Sequence, residues 1–217
     1  MPQPTQPAAR TATSATIPDP APTGAAGVAE PWLWVALAAV LLVFVRSLGA
    51  PLGEPVADDF DHLHHALFAH DGSWLNGGGS LSFWRPLAYQ GYYGLLHEVI
   101  LTHPLWIAAL HLAACAVCVL LLYDTARRHV PGSAAAVVAS FPLLLESARA
   151  LVLVPVHFVD LGLILFSVVA WRLAEAGRLV PALVALLAAL LCKETAVATA
   201  LALPCLARIP PGGSRRP

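Results

Sequence analysis

Charge is what this sequence has least of. Asp, Glu, Lys and Arg make up 12% of its 217 residues, against about 25% in soluble domains. Hydrophobic residues reach 58% and the mean hydropathy is +0.72. Such a chain has too little polar surface for a water-soluble domain, and its composition is that of a polytopic membrane protein. A net charge of -1 and a pI near 6.7 provide no basic excess for nucleic acid. No Gly-rich phosphate loop is present, which argues against a nucleotide-binding fold. Cysteine is limited to Cys115, Cys118, Cys192 and Cys205, all in apolar runs. Cys115-x-x-Cys118 therefore reads as two small helix- or lipid-facing residues rather than a redox pair.

The ends are built differently from the middle. Residues 1–30 are rich in Pro, Ala and Thr, with Arg10, Asp19 and Glu30 as their only charges, and read as a disordered cytoplasmic tail. This lead does not resemble the basic n-region of a signal peptide, although Ser47-Leu-Gly-Ala50 has the small residues of a cleavage site; the segment after it reads as an uncleaved anchor. Residues 209–217 form a second tail, basic and unstructured. Between the tails, residues 31–208 make one transmembrane module.

Within that module the expected architecture is all-α, with about six transmembrane helices and a long first outer loop at about 51–103 that carries amphipathic helices. Trp32 to Ala50 is the first span, Leu105 to Tyr123 the second and Pro131 to Leu145 the third. A fourth span ends near Trp171; because His157 and Asp160 interrupt its apolar run, its helix is expected to begin late. Leu179 to Ile209 is apolar except for Lys193-Glu194 and Arg208, and is read as two short helices meeting at that pair.

The polar residues concentrate in Val56-Ala-Asp-Asp-Phe-Asp-His-Leu-His-His65. As a helix this segment puts Asp58, Asp61, His62 and His65 on one face and Phe60, Leu63 and Leu67 on another, as in a helix lying on a membrane surface. Further along the same loop come the flexible link Asn76-Gly-Gly-Gly79 and Ser82-Phe-Trp-Arg-Pro-Leu-Ala-Tyr89. Pro86 suits the first turn of a helix, while Trp84, Tyr89, Tyr92 and Tyr93 suit an aromatic belt at headgroup level.

Orientation follows from counting cations. With the N-terminus inside and six spans, Arg10, Arg127, Arg128, Arg172, Arg178, Arg208, Arg215 and Arg216 are inside, against Arg46, Arg85, Arg149 and Lys193 outside. The outer face then carries Asp58-Asp59, Arg85, Glu146-x-x-Arg149 and Lys193-Glu194, which one shared site can use.

These residues, in this order, carry a resemblance. Asp58-Asp59 after the first span, Arg85-Pro86-Leu87 later in the loop, His103 to His111 opening the second span, Pro142 to Asp160 enclosing Glu146, and Lys193-Glu194-Thr195 together resemble the N-terminal half of GT-C-fold membrane glycosyltransferases. The likeness is to the protein O-mannosyltransferase-like branch and covers residues 32 to 207. It implies an inverting enzyme that moves a sugar from a polyprenyl-phosphate donor to an acceptor at the outer membrane face. Asp58 or Asp59 matches the base position of the family, and Arg85 and Lys193 suit the donor phosphate. Glu194, Glu146 and Arg149 take supporting roles. Such enzymes are longer than this chain, so the resemblance leaves three alternatives open: a truncated form, one part of a split enzyme with a second membrane subunit as partner, or a degenerate relative that keeps the fold without activity.

Each group has a second reading. Asp58 suits a helix cap, Arg85 can snorkel to headgroups, and Lys193-Glu194 can be a self-neutralising turn. Glu146 and Arg149 have the spacing of a structural pair, and His111 that of a packed helix histidine. No metal site is assigned, but His62, His64, His65 and His70 with the nearby acids are competent ligands, leaving a divalent cation open as cofactor. The alternative function is a noncatalytic membrane subunit that binds a lipid carrier or a partner; a transporter has less support, because the spans carry no clear inverted repeat.

Overall fold

The protein was analysed as a computed structural model that describes residues 31–68 and 83–206, and among them every regular element is helical. The expected tails and the Asn76–Gly79 link lie outside these residues, as does His70. The elements are α1 (Pro31–Ser47), α2 (Ala57–Phe68), a π-helical turn (Leu87–Gly91), α3 (Tyr92–Thr102), α4 (Pro104–Ala126), α5 (Gly132–Leu144), α6 (Ser147–Leu153), a 3-10 turn (Pro155–His157) leading into α7 (Phe158–Glu175), α8 (Leu179–Cys192), and a second 3-10 turn (Glu194–Ala196) leading into α9 (Val197–Leu206).

Among the described residues, two helical stretches are long and apolar enough to cross a membrane: Pro104–Ala126, and Pro155–Glu175 with its leading turn. At 1.5 Å per residue they extend about 35 and about 32 Å, against a hydrocarbon core of about 30 Å. α5 and α6 make a third crossing if they act as one bent span, with a bend of 68° between them. α1 and α8 are shorter apolar helices, and α9 has ten residues. The six spans expected from hydropathy thus meet two full-length crossings, or three with the bent pair. Polar breaks account for part of the difference. Leu145-Glu146 interrupts the third apolar run, which already contains Pro142, and Lys193 ends α8 with an extended backbone, as the sequence reading of the last apolar run expected.

The bundle has two distinct ends. The C-termini of α1, α5 and α8 meet the N-termini of α4 and α7 at the first: Arg46 of α1 donates to the Leu144 carbonyl that ends α5 (3.2 Å), and Lys193, just past α8, pairs with Asp160 in the first turn of α7. Gly53 ties the α1–α2 connection into this end. Its N–H donates to the Leu153 carbonyl at 2.8 Å, its φ is +69°, and a Cβ there would sit 2.1 Å from the Pro104 carbonyl oxygen, so glycine is the residue that fits. At the opposite end Trp32 lies against Gly132, and Arg172 of α7 pairs with Asp124 of α4.

Small residues set the helix spacing. Ala36 and Ala39 of α1, Ala108 and Cys115 of α4, and Ala135, Ala136 and Ala139 of α5 are buried together, so the helices approach closely through van der Waals packing. Gly162 plays the same part between α7 and α8, where a Cβ would come within 2.7 Å of Cys192 Sγ. Large apolar side chains point outward instead: Leu105, Trp106, Val137, Phe141, Val180, Leu183 and Val184 are exposed. Apolar inside and out, these helices suit a lipid environment.

A layer made of α2, the π-helical turn and α3 covers the first end, and one sequence expectation is corrected there. Trp84 is exposed, but Tyr89, Tyr92 and Tyr93, expected in an outer aromatic belt, are buried. Their hydroxyls find partners inward, on Arg85, His111 and Asp59. On α2, Phe60 and Leu67 are exposed while Leu63 and Asp59 are buried. A carboxylate takes the inward position because hydrogen bonds offset its burial.

Candidate functional site

Asp58 and Asp59 are neighbours with opposite surroundings. Asp59 is fully buried; its Oδ2 accepts the Val56 N–H at 2.8 Å and its Oδ1 accepts the Tyr93 hydroxyl at 2.5 Å. It is the third residue of α2, so its reach back to the Val56 N–H is one half of a capping box, and capping falls to Asp59 rather than Asp58. Burial raises its pKa above the usual carboxylate value, opposed by the hydrogen bond from Tyr93. Burial, reinforced by the Asp59 charge, also pushes the Tyr93 hydroxyl up. Asp58, about 100° further round the helix, is exposed.

From α2 the site extends through aromatic contact. The His62 ring stacks on Tyr89 with centroids 3.9 Å apart and planes 17° from parallel. Burial lowers the His62 pKa, partly countered by the charges of Asp58 and Asp61. The Tyr89 hydroxyl accepts from Arg85 Nη1 at 2.9 Å, and Arg85 holds Glu194 in a fork, Nε to Oε2 at 2.9 Å and Nη2 to Oε1 at 2.6 Å. Its guanidinium also lies 4.3 Å from the Phe83 ring centroid. The Glu194 bond raises the Arg85 pKa, and Arg85 in turn lowers that of Glu194. Charge-assisted and bidentate, this is the strongest type of contact open to these side chains.

Lys193 points from the same break to α7, where Asp160 accepts its ammonium and lies 3.4 Å from His157 Nδ1. An apolar groove of about 500 Å³ lies between α4, α5, α6 and α7, lined by Cys115, Cys118, Leu143, Leu151 and Ile164, with His157 and Asp160 also on its wall. Both cysteines are free thiols.

Of the residues singled out in the sequence, Arg85 and Glu194 meet directly, while Asp58 is exposed on α2 one turn before His62, the residue that stacks on Tyr89. Lys193 adjoins Glu194 on the chain but turns to Asp160. Glu146 and Arg149 stand apart: Glu146 accepts Arg149 Nη1 at 2.6 Å and also pairs with Arg46, clamping the α5–α6 bend to α1. No hydrogen bond or ion pair among the described residues links that clamp to Arg85, Lys193 or Glu194. His111 is buried and bridges the Tyr92 hydroxyl (2.9 Å) and the Leu151 carbonyl (2.5 Å), the packed histidine its position suggested. Among the described residues, no group of three or more His, Cys, Asp or Glu side chains converges as metal ligands would.

Sequence reasoning passed over Asp160 and Tyr93. Asp160 had a visible signal, a carboxylate inside an apolar run three residues after His157. Tyr93 had none, because an aromatic residue in an interfacial loop reads equally as a belt residue. Comparisons with protein-family models, with curated proteins and with solved structures give no match to this chain.

Proposed function

We propose that the chain is a membrane glycosyltransferase module that moves a sugar from a polyprenyl-phosphate donor to an acceptor hydroxyl at the outer membrane face. The observation that carries this reading is convergence. His62, one helical turn after Asp58, stacks on Tyr89, Arg85 bonds both Tyr89 and Glu194, and Lys193 adjoins Glu194, so segments far apart in sequence gather at one end of an apolar bundle. The groove beside Asp160 has the apolar lining that an isoprenoid chain needs. In this reading the end that carries α2 faces outward and the N-terminus lies inside.

The chemistry asks for one base and a cationic phosphate site. The acceptor oxygen attacks the anomeric carbon as the bond to the donor phosphate oxygen breaks, which inverts that centre. Asp58, exposed at the start of α2, takes the acceptor proton, while buried Asp59 holds the helix start that presents it. Arg85 and Lys193 stabilise the departing phosphate. Both cations are already paired, so the phosphate must compete with Glu194 and Asp160; the Glu194 side chain is 53% exposed and free to swing aside.

The same pairing favours a second reading, a noncatalytic membrane subunit in which these ion pairs only hold the break after α8 to Arg85 and to α7. Binding of a polyprenyl phosphate to the purified chain in lipid nanodiscs separates the two. The transferase reading expects saturable binding that Arg85→Ala and Lys193→Ala both lose. It also expects Asp58→Asn to bind normally but to transfer about 10²–10⁴-fold more slowly. A folded native chain that fails to bind the carrier would leave the subunit reading.

A further inference from the structure

Among the described residues, the end of the bundle opposite the candidate site carries more positive charge than its carboxylates can neutralise. Arg127, Arg128, Arg172 and Arg178 stand there against Asp124 and Glu175. Asp124 serves three of the arginines at once: Arg127 Nε lies 3.0 Å from Oδ1, while Arg128 Nη2 (3.2 Å) and Arg172 share Oδ2. Glu175 lies 3.5 Å from Arg172 and 3.3 Å from His129. Arg178 is exposed and has no ion-pair partner among the described residues. It is also the N-cap residue of α8, a helix whose start has no side-chain cap.

Arg128, Arg172 and Arg178 line one hollow of about 320 Å³ on the outer surface between α4 and α7, whose remaining wall is Leu121, Val169, Leu173 and Ala176. Cations at the rim and aliphatic side chains running from it along two apolar helices match a molecule with an anionic head and a hydrocarbon tail. The apolar wall would give a free phosphate ion nothing to bind. Basic pockets between transmembrane helices on the cytoplasmic side take anionic headgroups for the same electrostatic reason.

We propose that this hollow is a binding site for an anionic glycerophospholipid of the bilayer, with its phosphate between Arg128 and Arg178 and an acyl chain along Leu121, Val169 and Leu173. Arg172 is the positioning residue: its ion pair with Asp124 fixes the α4–α7 spacing that sets the width of the hollow, and Glu175 on its own helix steadies its guanidinium. An occupant there would hold this end in the anionic leaflet and reinforce the orientation expected from the arginine count.

The test uses the full chain in detergent, with native mass spectrometry reading retained lipid after incubation with equal amounts of phosphatidylglycerol and phosphatidylcholine. The native protein is expected to retain phosphatidylglycerol preferentially. Each arginine near an anionic headgroup adds roughly fivefold, so Arg128→Gln with Arg178→Gln lowers that preference by roughly 25-fold. Both residues are at least partly exposed and Arg172 is kept, so the double variant should fold; an unchanged circular dichroism spectrum checks this. Equal retention of the two lipids by the native chain overturns the proposal, as does an undiminished preference in the folded variant. Because the readout is lipid retention without any sugar donor, it is independent of the transferase reading.

Discussion

The two ends of the bundle handle charge in opposite ways. At the arginine end, one aspartate is shared among three guanidinium groups, and the excess positive charge stays near the surface. At the other end each of the cations Arg46, Arg85, Arg149 and Lys193 has a carboxylate, and each of those pairs except Arg149 with Glu146 joins elements distant in sequence: Arg85 to Glu194, Lys193 to Asp160, Arg46 to Glu146. The first arrangement suits holding an anion from outside. In the second, paired charges join Arg85 to the break after α8 and that break to α7, while Asp58 and Asp61 stay exposed on α2. Similar residue types therefore give an electrostatic anchor at one end and a structured polar layer at the other.

The sharpest way to break this comparison is to remove the buried carboxylate of the layered end. Asp59→Ala strands the Val56 N–H and the Tyr93 hydroxyl, with an expected loss of about 3 kcal/mol. Asp58→Ala, one residue away and exposed, should stay within about 0.5 kcal/mol of the native chain. Denaturant unfolding in detergent micelles measures both, and equal losses would mean that the layer does not depend on Asp59. A smaller effect is expected at the arginine end. Asp124→Asn removes the carboxylate shared by three arginines but leaves them near solvent, so the expected loss is about 1.5 kcal/mol. A loss as large as that of Asp59→Ala would erase the distinction between the ends.

The smallest effect is a pH dependence. Burial holds the folded pKa of His62 below its ordinary value of 6.5. Between that lowered value and 6.5 the unfolded chain binds more protons than the folded one, so stability rises with pH through this window and is level above it. His62→Gln should remove this slope just below pH 6.5, as read from denaturant midpoints across the acidic range. An unchanged slope would assign the pH dependence to other groups.

The sequence made some of this legible. The break at Lys193, the helix across the second apolar run, the packed His111 and the Glu146–Arg149 pair follow from local pattern, and each is seen. Two features escaped it. Tyr89, Tyr92 and Tyr93 sit in a polar loop and read as interfacial, but their orientation depends on hydroxyl partners up to 34 residues away. α2 reads as an amphipathic surface helix, but nothing local marks Asp59 for the inward position beside Leu63, because its partner Tyr93 lies outside any local reading of α2.

By itself the sequence determined the class and the segmentation: scarce charge and long apolar runs require apolar helices, and prolines, glycines and charged pairs mark where they stop. Such signals are local, since hydropathy and backbone propensity act over one helix at a time. Tertiary structure alone decided which of two adjacent aspartates is buried, which carboxylate each cation meets, and which apolar runs reach membrane length. Those outcomes depend on partners brought together from distant segments. A charge is buried only where the fold supplies the hydrogen bonds that offset its desolvation.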